Sequence, residues 1–191
     1  QVLLYCGRLA REKRTNTLLE AMVPLLRERR SIRLVLVGGG PQEKRLRRSA
    51  AAAGVSDQVD VTGYLPWKEA LAWYTAADLF VTASLSENHP MTLIEAHLAE
   101  LPVVGRRDPG IAAVLSEGHS GLLADSDQEL RRCCRRLCDR DEERRRMGRE
   151  ARRFGVQLSR RGYAQKMEQV YRRLCTVGSE TEAGAGAGKT L

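Results

Sequence analysis

The chain has 191 residues, 42% hydrophobic and 29% charged, with a net charge of +8. That length suits one substantial domain and is short for two. It contains no run of eighteen apolar residues and no basic-then-apolar leader, so neither a spanning helix nor a signal peptide is expected.

Gln1 is followed at once by "VLLYCGR", which reads as a strand already under way and predicts a fragment of a longer chain. Further short apolar runs lie at 33–37, 59–62, 79–83, 102–104 and 121–123. Between them, 15–29, 42–53, 67–76, 91–99 and 110–115 carry the apolar spacing of helices. Pro24 falls inside the first helix and is expected to kink it. Near-continuous apolar strands alternating with helices predict an α/β fold: a doubly wound parallel sheet covered on both faces. After residue 123 the pattern becomes wholly helical, at 127–138, 141–155 and 160–174. The last of these sets Tyr163, Met167, Val170, Tyr171 and Leu174 on one stripe that requires an apolar partner. Residues 1–177 form the expected domain. The small-residue stretch 178–191, "GSETEAGAGAGKTL", cannot build a core and is expected to be a disordered tail.

A basic domain is compatible with nucleic acid, an anionic membrane or a phosphorylated ligand. The densest run, "ELRRCCRRLCDRDEERRRMGREARRFG", interleaves acids with bases as solvated helices do. It carries no aromatic interleaving and no nucleic-acid module signature, so no nucleic-acid partner is expected. The five cysteines are an odd number, and Cys133, Cys134 and Cys138 lack the paired spacing of a zinc site. They read as reduced structural thiols, and the expected compartment is the cytoplasm.

Three motif matches are weak. "GAGAGKT" has three residues between Gly184 and Gly188 where a phosphate-binding P-loop needs four, and no strand precedes it. The acids of "DSD", Asp125 to Asp127, could bind a metal, but Ser and Asp before a helix are ordinary N-caps. "GGGP", Gly38 to Pro41, is either a close-approach loop for a ligand or a plain tight turn.

In open α/β sheets, ligands bind beyond the carboxyl ends of the strands. The first strand ends in "CGRLAREK", which puts Arg8 and Lys13 in one loop, where a fork and a point charge could serve a diphosphate. The third ends in "TGYLP" and the fourth runs into "SLSENHPMTLIEA". Pro90 suits the first turn of a helix whose leading amides are left unpaired. Glu87 lies in the loop before it, and Glu95 about one turn in, tilted back toward the same end. Amides and cations would take phosphate while the two carboxylates accept from hydroxyls. A ligand with hydroxyls on both sides of a diphosphate uses both kinds of group, and a nucleotide sugar is such a ligand. Two glutamates at this spacing also arise by chance, and acids near a helix start are favoured anyway.

The ordered blocks "GRLAREK", "LVLVGGGP", "VDVTGYLP", "YTAADLFVTASLSENHPMTLIEAHLAELPVV" and "GHSGLL" resemble the C-terminal half of retaining GT-B glycosyltransferases, family 4 type, from Gln1 to about Leu174. That resemblance implies a Rossmann-like donor-binding domain for a nucleotide diphosphate sugar, acting with an N-terminal acceptor-binding domain absent from this chain. It implies transfer of a hexosyl unit to an acceptor hydroxyl on a lipid or glycan, with retention. Arg8 and Lys13 correspond to the diphosphate-binding pair. Glu87 corresponds to the acid that contacts the transferred sugar, and Glu95 to the acid that holds the ribose. Pro90, Met91 and Thr92 occupy the stretch whose amides face phosphate and sugar. Tyr64 and Leu65 border the nucleobase, and His89 has a packing or sugar-contact role. No metal or other cofactor is implied, and peripheral membrane contact would come through the absent domain. This sequence departs from the family pattern at His89–Pro90, at Arg14 and Glu100 where glycine is usual, and at His97 where methionine is common. The alternative is a non-catalytic nucleotide-sugar-binding module.

Overall fold

The computed structural model describes residues 1–184, with side-chain surroundings for residues 1–174. Six strands form the sheet: β1 Val2–Cys6, β2 Arg33–Val37, β3 Val59–Gly63, β4 Leu79–Thr82, β5 Val103–Arg106 and β6 Gly121–Ala124. They lie in the order β3-β2-β1-β4-β5-β6, and every neighbouring pair is parallel. The order reverses between β1 and β4, which is where an open sheet leaves a crevice for a ligand.

The first five helices are α1 Thr15–Glu28, α2 Glu43–Ala52, α3 Trp67–Ala76, α4 Met91–Leu98 and α5 Pro109–Ala113. Three more follow the sheet: α6 Asp127–Asp139, α7 Asp141–Leu158 and α8 Arg160–Gly184. Pro24 is exposed in α1, and the helix continues through it to Glu28.

The period-2 alternation of the strands sorts the core into two faces. Leu3, Tyr5, Leu34, Leu36, Leu79 and Val81 pack with Leu18, Met22 and Leu25 of α1 and Leu130, Cys134 and Leu137 of α6. The intervening residues point the other way; Phe80 of β4 there stacks on Tyr74 of α3, with ring centroids 6.1 Å apart. Burial of this kind is worth roughly 1.5–3 kcal/mol per large side chain, and it far outweighs the surface ion pairs.

Gly38 and Gly40 have φ of 134° and 155°, and a Cβ there would lie 2.0 Å from the Gly7 carbonyl oxygen and 2.4 Å from that of Leu9. Gly38 and Gly40 thus serve a tight turn that packs backbone on backbone, while Gly38 and Gly39 also line a cavity at the ends of the strands.

Helix ends follow local chemistry. Ser126 caps α6 by accepting from the Glu129 amide at 3.1 Å, and Asp127 pairs with Arg14 and Arg106 while Asp125 pairs with Arg107. The acids of "DSD" are therefore engaged by arginines beside a helix cap. α4 closes in a Schellman motif: Leu101 N–H donates to the Ala96 carbonyl at 2.9 Å and Glu100 N–H to that of His97 at 3.0 Å. The residue that must turn left-handed there is Glu100, at φ 62°, and Arg14 does the same before α1 at φ 51°.

Residues 1–155 form one compact unit, and a second begins at Val156 with the end of α7 and α8. On α8, Tyr163, Val170, Tyr171 and Leu174 are exposed. Residues 178–184, expected as part of a disordered tail, are helical in α8; their Ser-Glu-Thr-Glu-Ala run is compatible with a helix even though it supplies no core. The rest of that stretch, with most of "GAGAGKT", lies outside the described residues. Cys6, Cys133, Cys134 and Cys138 are free thiols, and burial pushes all four above the usual thiol range. Among the described residues, no helix is long and apolar enough to cross a membrane.

Candidate functional site

Two cavities open at the carboxyl ends of the strands and share the wall formed by Cys6, Gly7, Arg8 and Thr92. The larger, about 530 Å³, extends along the β2 and β3 side past Gly39, Tyr64, Leu65 and Trp67 to Glu95. The smaller, about 220 Å³, extends along the β4 side past Lys13, Glu87, Pro90 and Met91. The two glutamates therefore do not converge on one point. Each guards its own cavity, with Arg8 and the start of α4 between them.

Arg8 follows β1, its side chain 67% exposed, and pairs with Glu12 one turn on. The Tyr5 hydroxyl donates to the Arg8 carbonyl at 3.1 Å, tying this loop to the sheet; burial, with Glu87 nearby, pushes the Tyr5 phenol well above its usual range. Lys13 ends a short 3-10 turn, Arg11–Lys13. Its Nζ donates to Glu87 Oε1 at 2.8 Å and to the Ser86 carbonyl at 3.3 Å. The Lys13–Glu87 pair joins the loop after β1 to the loop after β4, and both partners are largely shielded.

Pro90 is the N-cap of α4, one position earlier than the first-turn placement expected from sequence. Its missing N–H therefore costs the helix nothing, since the cap donor is unpaired in any helix. No side chain caps this end and no acid lies in the first turn, so the amides of Met91 and Thr92 remain for an anion. The loop carrying Glu87 is held by α5: a Cβ on Gly110 would lie 2.1 Å from the Glu87 carbonyl oxygen. Asp108 in turn caps α5, accepting from the Gly110 amide at 2.9 Å and the Ile111 amide at 3.2 Å.

Glu95 sits in the second turn of α4 and accepts from the Tyr74 hydroxyl through Oε2 at 2.9 Å. Burial raises the Glu95 carboxyl above its usual range, and the Tyr74 hydrogen bond opposes that rise. Tyr64 is 83% exposed at the rim of the larger cavity, with Leu65 beside it. His89 is exposed and lines neither cavity. Cys6, Trp67 and Tyr74 were not among the residues expected at the site. Tyr74 in "AWYTAADLF" reads as core, and only the three-dimensional crossing of α3 with α4 brings its hydroxyl to Glu95.

The arrangement offers two cations and an uncapped helix end for a doubly anionic group, with one acid and one cavity on each side. Among the described residues, no cluster of His, Cys, Asp or Glu has a metal-holding arrangement.

The profile described as "Glycosyl transferases group 1" matches residues 1–154. A D-inositol 3-phosphate glycosyltransferase of Corynebacterium urealyticum is 30% identical over 96% of this chain and 45% of its own length. Among solved structures, the pneumococcal O-GlcNAc transferase GtfA in complex with UDP and GlcNAc superposes with a TM-score of 0.79 at 21% identity, over 91% of this chain and 36% of that one. The C-terminal domain of a glycosyl transferase group 1 family protein (LpcC) from Francisella tularensis superposes at 0.71 with 20% identity, over 81% of this chain and 83% of that one. These structural likenesses show the fold, the Rossmann-like sheet of GT-B glycosyltransferases. The chain spans less than half the length of the curated relatives it matches. By the extent of the profile match and by its fold, the chain belongs to the glycosyl transferases group 1 family.

Proposed function

We propose that this chain is the donor-binding domain of a glycosyltransferase that moves a hexosyl unit from a nucleotide diphosphate sugar to an acceptor hydroxyl, with retention at the anomeric carbon. The observation that carries the reading is the pair of cavities, each with one acid, sharing a wall with Arg8 and the uncapped start of α4. A diphosphate at the shared wall would place nucleoside in the larger cavity and sugar in the smaller.

Glu95 then accepts from ribose hydroxyls, Tyr64 and Leu65 border the base, and Glu87 accepts from hydroxyls of the transferred sugar. Arg8, Lys13 and the amides of Met91 and Thr92 stabilise the charge that builds on the leaving diphosphate. Two charged hydrogen bonds at ~1.5–3 kcal/mol each and ~1 kcal/mol from the helix end total about 4–7 kcal/mol. That is less than the roughly 8 kcal/mol or more by which enzymes lower barriers, so the acceptor-binding half must supply the remainder. With the cations and helix end neutralising the diphosphate, no metal or other cofactor is assigned a role. Several structural neighbours are complexes with UDP or UDP-glucose, which supports a nucleotide ligand. The partners under this reading are a nucleotide sugar and an N-terminal acceptor domain that brings a lipid or glycan hydroxyl, at the cytoplasmic side of the cell.

Calorimetric titration of the chain with UDP, GDP and ADP tests the reading. Weak binding of one of them, with no sugar turnover until the acceptor half is joined, is the expected result. Binding of the nucleotide sugar with no transfer by the joined protein would leave a non-catalytic binding module, and no binding at all would overturn the proposal.

A further inference from the structure

The carboxylate of Glu95 is held by a residue on a different helix. Tyr74 of α3 is 1% exposed, and its ring lies parallel to Phe80 of β4, with centroids 6.1 Å apart and planes 6° from parallel. Phe80 is itself a central-strand residue at 1% exposure. The phenol is thus buried and stacked on the sheet, and its hydroxyl has little freedom. That hydroxyl donates to Glu95 Oε2 at 2.9 Å, which leaves Oε1 as the acceptor for a ligand in the larger cavity. Trp67, on the same helix as Tyr74, lines that cavity too.

We infer that Tyr74 is a positioning residue for nucleoside recognition: it fixes the rotamer of Glu95 so that the second carboxylate oxygen meets a ribose hydroxyl. The inference rests on the proposed reading of Glu95 as the ribose-holding acid. An unrestrained glutamate in the second turn of a helix would sample several rotamers, and ordering it on each binding event costs entropy. The fixed phenol has already taken that cost in the folded chain, the general advantage of pre-organisation. It also supplies a polar partner for a carboxylate that is partly withdrawn from water, where an unpaired charge is costly.

The consequence is selective. Losing the Tyr74 hydroxyl should affect ligands through the ribose hydroxyls alone and leave the diphosphate contacts of Arg8, Lys13 and α4 untouched. Tyr74→Phe removes one oxygen and keeps the ring on Phe80, so the fold is retained; a thermal melt confirms it.

The experiment measures UDP, GDP and ADP, and the 2′,3′-dideoxy form of each, on wild type, Tyr74→Phe, Glu95→Gln and the double variant by calorimetry. Wild type is expected to favour the preferred ribonucleotide over its dideoxy form by about tenfold, the size of one charge-assisted hydrogen bond. Tyr74→Phe should reduce that preference to about threefold, chiefly by weakening the ribonucleotide, with dideoxy affinity unchanged. Glu95→Gln should bring the preference close to one, and the double variant should match it. A Tyr74→Phe preference equal to wild type, or equal losses on both ligands, would overturn the positioning role while leaving Glu95 in place. An unchanged preference in Glu95→Gln, or no binding of any of the three nucleotides, would remove the underlying reading, and the inference with it.

Discussion

His97 lies in the last turn of α4, fully buried, with its ring edge-on to Phe154 at a centroid distance of 6.0 Å. Neither ring nitrogen makes a hydrogen bond with a described residue. Burial holds the imidazole down at about 4 from an ordinary 6.5, opposed by the nearby Ser120 backbone. The unfolded chain binds this proton below about pH 6.5, whereas the folded chain binds it only below about pH 4. Stability from this group is therefore fully present above pH 6.5 and is lost as pH falls toward 4. Linkage over that interval gives a loss of about 2 kcal/mol by pH 5 and about 3 kcal/mol in full. His97→Met removes the titration, fills similar volume with a flexible apolar chain, and sets sulfur against the Phe154 ring. Each unsatisfied buried polar group costs ~1–3 kcal/mol, so the variant should be at least as stable as wild type at pH 7.5. Urea unfolding followed by circular dichroism at pH 7.5 and pH 5.0 checks this. Wild type should lose about 2 kcal/mol more than His97→Met between the two, and the common titrations cancel in the difference. Parallel losses in both proteins would refute the argument.

Three further outcomes are expected. Lys13→Ala and Arg8→Ala should each weaken the preferred nucleoside diphosphate by ~1.5–3 kcal/mol; calorimetry with unchanged affinity in both would mean the anion site is misplaced. Glu87→Gln should impair binding of the nucleotide sugar while sparing the free diphosphate, and a calorimetric loss shared equally by both ligands would assign Glu87 to loop structure alone. Glu100→Gly should stabilise the fold by about 1 kcal/mol by relieving the left-handed strain, because the half-exposed Glu100–Arg152 contact at 3.7 Å offsets little of it. A scanning-calorimetry midpoint that fails to rise would show that the strain is already relaxed.

Much of this architecture was legible before any coordinates. The six strands and the first seven helices sit within a few residues of where apolar runs, helical spacing and caps put them, whereas α8 continues about ten residues past its expected end, through Gly184. Neighbouring apolar positions in the strands are packed on opposite faces, so the near-continuous apolar runs reported a sheet covered on both sides. The left-handed residues Arg14 and Glu100 were marked only by the resemblance, in which glycine is usual at both positions, and not by any local pattern. The site was legible only as far as loops carry it. Arg8, Lys13, Glu87 and Glu95 were found because each follows a strand end or opens a helix, yet the division of the two acids between separate cavities depends on Arg8 and Thr92 standing between them. Tyr74 was hidden for a more general reason: a buried aromatic in an apolar run spells packing, and its polar tip has meaning only once the neighbouring helix is in place.

The reversal of strand order has a mechanical side. β1 is registered with β2 along five residues, from Val2↔Arg33 to Cys6↔Val37, but with β4 only at Leu3↔Leu79 and Leu4↔Phe80. The sheet is thus two three-stranded panels sewn by a short seam, with the cavities at the open end of the stitching. The Lys13–Glu87 pair is a thread already drawn across that opening. A diphosphate gripped by Arg8 from one panel and by the α4 amides from the other would act as a rivet through both. Occupancy should then register as slower amide exchange along β1 and β4 themselves, in strands that no ligand atom touches.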